Sequence, residues 1–111
     1  VRQFVTHHEL PDAIFCFTDS MALGVLSALW SLGYAVPEDV SVVGYDDIAE
    51  AQFAVPPLTT VHFDRSTVAE TALALLTERI VDPERSIRSV TVPHSIVRRS
   101  STRARHPSPA Y

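Results

Sequence analysis

Glycine is scarce in this sequence and scattered. The 111-residue chain has three, Gly24, Gly33 and Gly44, too far apart to build a loop whose backbone amides cradle a phosphate. That argues against nucleotide binding of the P-loop or dinucleotide kind. Cysteine occurs once, as Cys16, so no internal disulfide can form. Within the apolar run Ala13–Phe17, Cys16 reads as a small buried hydrophobe, which fits a reducing compartment. There is no apolar run near the length of a bilayer span, and no charged-then-apolar leader pattern. The chain starts at Val1, which fits a processed protein or a piece of a longer one. No G-x-S-x-G nucleophile turn is present, and neither His62 nor His94 has a Ser or Cys partner at such a turn. Nothing here asks for catalysis. His7-His8-Glu9 offers metal-ligand chemistry, but adjacent residues point apart and no second pair has helical spacing, so a solvated helix end is the better reading. Neither a metal nor a cofactor is expected.

Lysine is absent; all nine basic residues are Arg. Four of them (Arg98, Arg99, Arg103, Arg105) follow position 97, while all thirteen acidic residues precede it, so residues 1–97 carry −8 and the remainder +4. So acidic a body argues against binding nucleic acid through its own surface. The closing stretch, rich in Arg, Ser and Pro, reads as a disordered tail over 102–111.

What is present is an alternation of short apolar runs with helical patterns. The length suits one domain with a modest core. After a helix end at Val1–His8, broken at Glu9–Asp12, the run Ala13–Phe17 predicts a strand covered on both faces. Thr18-Asp19-Ser20 is helix-start chemistry, with Asp19 a candidate cap. Met21–Leu32 predicts a helix, with Gly33 suited to the left-handed residue that ends it. Two stripes on that helix, one through Leu26 and Leu29 and one through Leu23 and Trp30, leave little of it polar. Such a helix needs cover on more than one side, from the sheet and from a second helix or subunit. Val40–Tyr45 predicts the second strand, completing a right-handed βαβ unit. A short helix over Ile48–Ala54 precedes Pro56-Pro57. Leu58–Phe63 predicts a third strand and Asp64–Val81 a second long helix, capped by Asp64 or by Thr67 with Glu70. Ile87–Val92 and Ser95–Arg99 predict one or two closing strands around Pro93. The fold class is α/β, with a mostly parallel sheet flanked by helices.

Three of these strands end on polar residues: Thr18-Asp19, Asp46-Asp47, and Asp64-Arg65 after Phe63. Ligands of open α/β sheets bind beyond the carboxyl ends of the strands. A carboxylate there can accept two hydrogen bonds from neighbouring hydroxyls, which suits a small hydroxylated ligand such as a sugar. The same residues also serve as plain strand ends and helix caps, and both readings stand at this point. Asp19 leans structural. Asp46 leans functional, because one Asp would cap the turn and there are two.

The order and spacing of three segments carry a resemblance. D-x-M-A-L-G at Asp19–Gly24, G-x-x-V-P-E-D-V-S-V-V-G-Y-D-D at Gly33–Asp47, and P-P-L-T-T-V at Pro56–Val61 resemble the effector-binding core of the LacI/GalR family of bacterial transcription regulators. V-x-R-x-S at Val97–Ser101 fits the family's closing strand, and residues from about 10 to 101 are covered. The resemblance implies a periplasmic-binding-protein-like I fold of two subdomains, of which this chain matches the C-terminal part. Residues 1–63 would belong to the C-terminal subdomain, 64–82 would be a helix crossing to the N-terminal subdomain, and 83–101 would supply closing strands. Helix 64–82 could also swap between chains. Asp46 matches the family's effector-binding aspartate. Thr18 stands where the family often has Asn, and Phe63 and Arg65 stand at a crossing where ligand contacts also occur. The family dimerises through this subdomain, which implies Leu23, Trp30 and Ala54 at a homodimer interface. The implied function is effector binding, of a sugar, in a cytoplasmic repressor that reaches DNA only through a helix-turn-helix domain absent here. Two alternatives stay open: a periplasmic sugar-binding protein of the same fold, and an α/β enzyme fragment.

Overall fold

A computed structural model describes residues 1–104. In chain order the elements are α1 (Arg2–Val5), β1 (Ala13–Phe15), α2 (Asp19–Ser31), β2 (Ser41–Tyr45), a 3-10 helix (Ala49–Phe53), β3 (Thr59–Phe63), α3 (Arg65–Val81) and β4 (His94–Val97). The strands form one sheet in the order β1-β2-β3-β4. β1 and β2 are parallel with Phe15 opposite Val43, and β2 and β3 are parallel with Tyr45 opposite Val61. Their carboxyl ends therefore share one edge. By contacts the chain divides into two compact units, one of Val1–His62 with the chain from Ile96 onward, the other of Phe63–Ser95.

The core of the first unit lies between α2 and one face of the sheet. Ala22, Leu26 and Leu29 of α2 are buried with Val40, Val42, Ala51 and Leu58. At about 1.5–3 kcal/mol for each large apolar side chain removed from water, this layer is the main stabilising term. Thr18 caps α2, its hydroxyl accepting from the Met21 amide at 3.2 Å. The far end closes on Gly33 at φ 82°, where the Gly33 amide donates to Trp30 and the Tyr34 amide to Leu29. Only glycine adopts that φ without a Cβ penalty, so Gly33 is where this helix can stop.

Several expectations are corrected. β1 is three residues long, not five, and is not covered on both faces: Phe15 is 57% and Phe17 80% exposed. Among the described strands β1 stands at the edge of the sheet beside β2, and Cys16, which follows it, is buried while Phe15 and Phe17 on either side are not. Asp19 is not the cap of α2. Thr18 takes that role, and Asp19 turns inward to full burial. One side of α2 packs on the sheet as expected, and on its other side Trp30 is 79% exposed.

In the second unit, α3 starts as expected. The Asp64 carboxylate accepts from the amides of Ser66 and Thr67 and from the Thr67 hydroxyl. No residue of α3 is buried, although Leu73, Leu76 and Ile80 repeat along one stripe. Ile87–Val92 forms no strand. That segment is tied to α3 by side chains rather than by a ladder. Arg88 Nη2 donates to both Glu78 oxygens at 3.0 and 2.8 Å, and Arg85 Nε lies 3.6 Å from Glu78. Of the closing strands expected over 83–101, His94–Val97 alone is a strand. Thr102 and Arg103, the first residues of the expected tail, are held by hydrogen bonds. Thr102 shares a hydroxyl hydrogen bond with Thr59, and the Arg103 amide donates to Ser41; residues 105–111 lie outside the described residues.

Candidate functional site

The shared carboxyl edge of the parallel strands is built around a tight approach. Gly44 of β2 has no side chain because there is no room for one: a Cβ there would overlap Oδ1 of Asp19 and press on Leu58. Asp19 uses the space. Its Oδ1 accepts from the Thr60 hydroxyl of β3 at 2.5 Å, and its Oδ2 accepts from the Ile48 amide at 3.0 Å. One buried carboxyl thus joins the start of α2, β3 and the segment after β2. A buried polar group is stable only when its hydrogen bonds are made, and here they are.

Above this joint the chain turns through Asp46 and Asp47, both at positive φ, 114° and 50°. Non-glycine residues at positive φ cost roughly 1–3 kcal/mol each and persist where surrounding contacts over-determine them. The contacts are present. The Asp46 amide donates to the Val61 carbonyl at 3.0 Å, and the Asp47 amide points to the Thr60 hydroxyl at 3.4 Å. The Asp47 carboxylate takes Arg99 Nη2 on one oxygen at 2.7 Å and meets His62 Nδ1 on the other at 3.0 Å. Burial pushes the Asp47 carboxyl up, but the hydrogen bond and charge of Arg99, joined by His62, outweigh it and hold the group below the usual carboxylate range.

Arg99 arrives from the closing segment. Its Nη1 donates to the Leu58 carbonyl at 2.8 Å, and its amide donates to the Thr59 hydroxyl at 3.0 Å. Two residues on, Ser101 is fully buried. Its hydroxyl donates to the Val42 carbonyl at 2.6 Å and accepts from the Thr59 amide at 2.8 Å, while its carbonyl accepts from the Val42 amide. Ser101 therefore fills the gap between the starts of β2 and β3.

Of the residues singled out from the sequence, Thr18 and Asp46 belong to the first unit, at the ends of β1 and β2. Thr18 spends a lone pair on the helix cap and keeps its hydroxyl proton to donate. Phe63 closes β3 half-buried, Arg65 opens α3, and both fall in the second unit. Leu23, Trp30 and Ala54 come together: with Leu26, Ser27 and Val55 they line an apolar groove of about 390 Å³. Asp47 does more than tie its own turn, and that is where sequence reasoning fell short. Its partners His62 and Arg99 are 15 and 52 residues away. The available signal was the doubled Asp46-Asp47 against the paired Arg98-Arg99 in an otherwise acidic chain.

Other chemistry is not assembled. Among the described residues no three His, Cys, Asp or Glu groups stand together as metal ligands. His7 hydrogen-bonds the Gln3 carbonyl at 2.9 Å, as a helix-end residue does. Burial first, and the charge of Asp19 second, push the Cys16 thiol up and away from its reactive thiolate. No described helix is long and apolar enough to cross a membrane.

Comparison with known proteins gives a consistent set. Residues 1–102 match the periplasmic binding protein-like domain family. The chain is 44% identical over 101 residues to the HTH-type transcriptional repressor PurR of Vibrio atlanticus (strain LGP32), covering 91% of this chain and 30% of that protein. It is 40% identical over 104 residues to the repressor of the same name from Haemophilus influenzae (strain PittEE), covering 90% and 31%. Among solved structures, a LacI-type transcription regulator from Bifidobacterium animalis subsp. lactis is similar at TM-score 0.71 and 44% identity, covering 85% of this chain and 34% of that one. A lac repressor dimer bound to operator and the anti-inducer ONPF is similar at TM-score 0.78 and 32% identity, covering 92% and 35%. The chain thus spans about a third of the length of the relatives it matches, and the named ones are transcriptional regulators rather than enzymes.

Proposed function

Because this chain belongs to the periplasmic binding protein-like family, among the LacI/GalR-type transcription regulators, we propose that it forms part of the effector-binding domain of a cytoplasmic, DNA-binding repressor. DNA contact would fall to a helix-turn-helix domain elsewhere in that regulator. The observation that carries the effector reading is the backbone of Asp46. A carboxylate residue held at φ 114° on the carboxyl tip of a parallel strand is costly, and such cost is characteristic of ligand sites. Asp46 would accept hydrogen bonds from the effector. Thr18 would donate one, and Phe63 and Arg65 would add contacts where the chain passes into α3. The exposed stripe of α3 would be covered by the other subdomain.

The preferred effector is a neutral sugar, whose adjacent hydroxyls suit a carboxylate acceptor; a similar regulator structure is described as a CelR–cellobiose complex. The second reading is a neutral nucleobase, whose ring N–H groups offer the same donors. It is favoured by the identity to repressors named PurR. Titration of the full regulator against a panel of neutral hexoses, disaccharides including cellobiose, and purine bases separates the two. The variant Asp46→Ala is expected to weaken binding of the panel member that binds at least tenfold, the loss of a charge-assisted hydrogen bond. Unchanged affinity would remove Asp46 from the site.

Effector binding between subdomains would favour one of their relative orientations, and the difference in affinity between states would be passed to the DNA-binding heads. The groove lined by Leu23, Trp30 and Ala54 would be covered by a second subunit. Trp30, so large and so exposed, is the residue to test. Trp30→Glu is expected to shift the full regulator from dimer to monomer in sedimentation, and an unchanged dimer would place the interface elsewhere.

A further inference from the structure

We propose that Arg99 is a positioning residue for effector recognition, locking the Asp46–Asp47 turn from the closing segment of the chain. The proposal rests on the reading that Asp46 meets the effector, and it adds how that residue is held. Four observations carry it. The turn has two consecutive non-glycine residues at positive φ, so it needs external restraint. Arg99 supplies restraint in two directions at once, to Asp47 Oδ1 at 2.7 Å and to the Leu58 carbonyl at 2.8 Å. The side chains of Arg99 and Asp47 are both only 18% exposed, where a charged hydrogen bond is screened less than at the surface. Finally, the guanidinium is anchored at its base. The Arg99 amide is bonded to Thr59, and Ser101 pins the following backbone between β2 and β3.

Each part has a separate task. Asp19 and Thr60 hold the turn from the core side. His62 meets the second Asp47 oxygen, but it is half exposed and acts as a lateral guide. Arg99 reaches from the closing segment to the turn, and its planar fork sets direction as well as distance. With Asp47 tethered, Asp46 keeps its backbone angle, and its carboxylate is presented in one orientation. A ligand that meets a preorganised acceptor does not bear the cost of ordering it.

Three amides report on the lock without any ligand: those of Asp46, Asp47 and Ile48, bonded to Val61, Thr60 and Asp19. Their hydrogen exchange is measured by NMR in the full regulator and in its Arg99→Met, Arg99→Lys and Asp47→Asn variants. Arg99→Met is expected to speed exchange at these amides about tenfold or more, the scale of a lost charge-assisted hydrogen bond. The amides of Leu26 and Leu29 in α2 are expected to stay as they were. Asp47→Asn should speed exchange at the same amides at least as much, since it also loosens His62, and adding Arg99→Met to it should bring little further rise, because Arg99 acts on the turn through Asp47. Arg99→Lys should recover part of the protection, since lysine keeps the charge and loses the fork. Unchanged exchange at the three amides overturns the proposal. So does a rise shared equally with α2, which marks a simple loss of stability. The Asp46→Ala titration fails or succeeds independently, so a wrong effector reading and a wrong lock give different results.

Discussion

The two long helices of this chain begin alike and end differently. α2 and α3 are each capped by a side-chain oxygen, Thr18 in one and Asp64 in the other, and each carries an apolar stripe at helical spacing. In α2, Ala22, Leu26 and Leu29 are buried against the sheet. In α3 no residue is buried, and Leu73, Leu76 and Ile80 are more than half exposed. Capping and periodicity are local and suffice to start and stop a helix. Burial depends on what the rest of the polypeptide brings up against the stripe. The contrast marks the first unit as one with its own core and the second as one whose apolar stripe lies exposed among the described residues.

That contrast can be broken at graded cost. The largest effect is expected at the joint beneath the site. Gly44→Ala forces a methyl group onto the Asp19 carboxyl and breaks its buried hydrogen bonds, at about 3–5 kcal/mol in urea unfolding of the 111-residue chain. A cost below about 1 kcal/mol would mean that Asp19 has somewhere else to go. Next come the helices themselves. Leu29→Ala, at a fully buried position, is expected to cost about 3 kcal/mol, whereas Leu76→Ala in α3 should stay within about 0.5 kcal/mol. Equal costs would show that something covers α3 in solution. The caps should weigh the same in both units: Thr18→Ala and Asp64→Ala are each expected to lower stability by about 1 kcal/mol. A smaller loss for Asp64→Ala would indicate that α3 frays at its start.

The smallest effect is electrostatic and belongs to the first unit. The Asp47 carboxyl is held lower in the folded chain than its ordinary value of 3.8. A group depressed on folding binds fewer protons in the native state, so its contribution is complete above the unfolded value and is lost as pH falls through the folded one. Stability should therefore decline below about pH 4, and Asp47→Asn should flatten that part of the profile. An identical acid limb in Asp47→Asn would show that other carboxylates account for it.

Much of this protein was legible from local pattern. Gly33 at the α2 end and Asp64 before α3 are places where one residue's chemistry decides the backbone, and each is where reading the chain places it, whereas at the α2 start Thr18 caps in place of Asp19. The Ile87–Val92 segment reads as a strand by composition, yet a strand needs a neighbour to take its hydrogen bonds, and here Arg88 and Arg85 fasten the segment to Glu78 instead. Asp19 shows the same limit in reverse. As a helix-start aspartate it suits a cap, but Gly44, 25 positions later, leaves a space that its carboxyl enters.

The sequence by itself determined the α/β alternation, the parallel βαβ unit, the family, and Asp46 as the residue at the tip of β2. These follow from periodicity, caps and motif spacing, all of which act within a few residues or repeat in order. Tertiary structure alone decided that Asp47 would be gripped by Arg99 and that Ser101 would fill the gap between β2 and β3. Those pairings join residues far apart in the chain. Their distances are set by how strands and helices stack, a property that no local stretch of sequence contains.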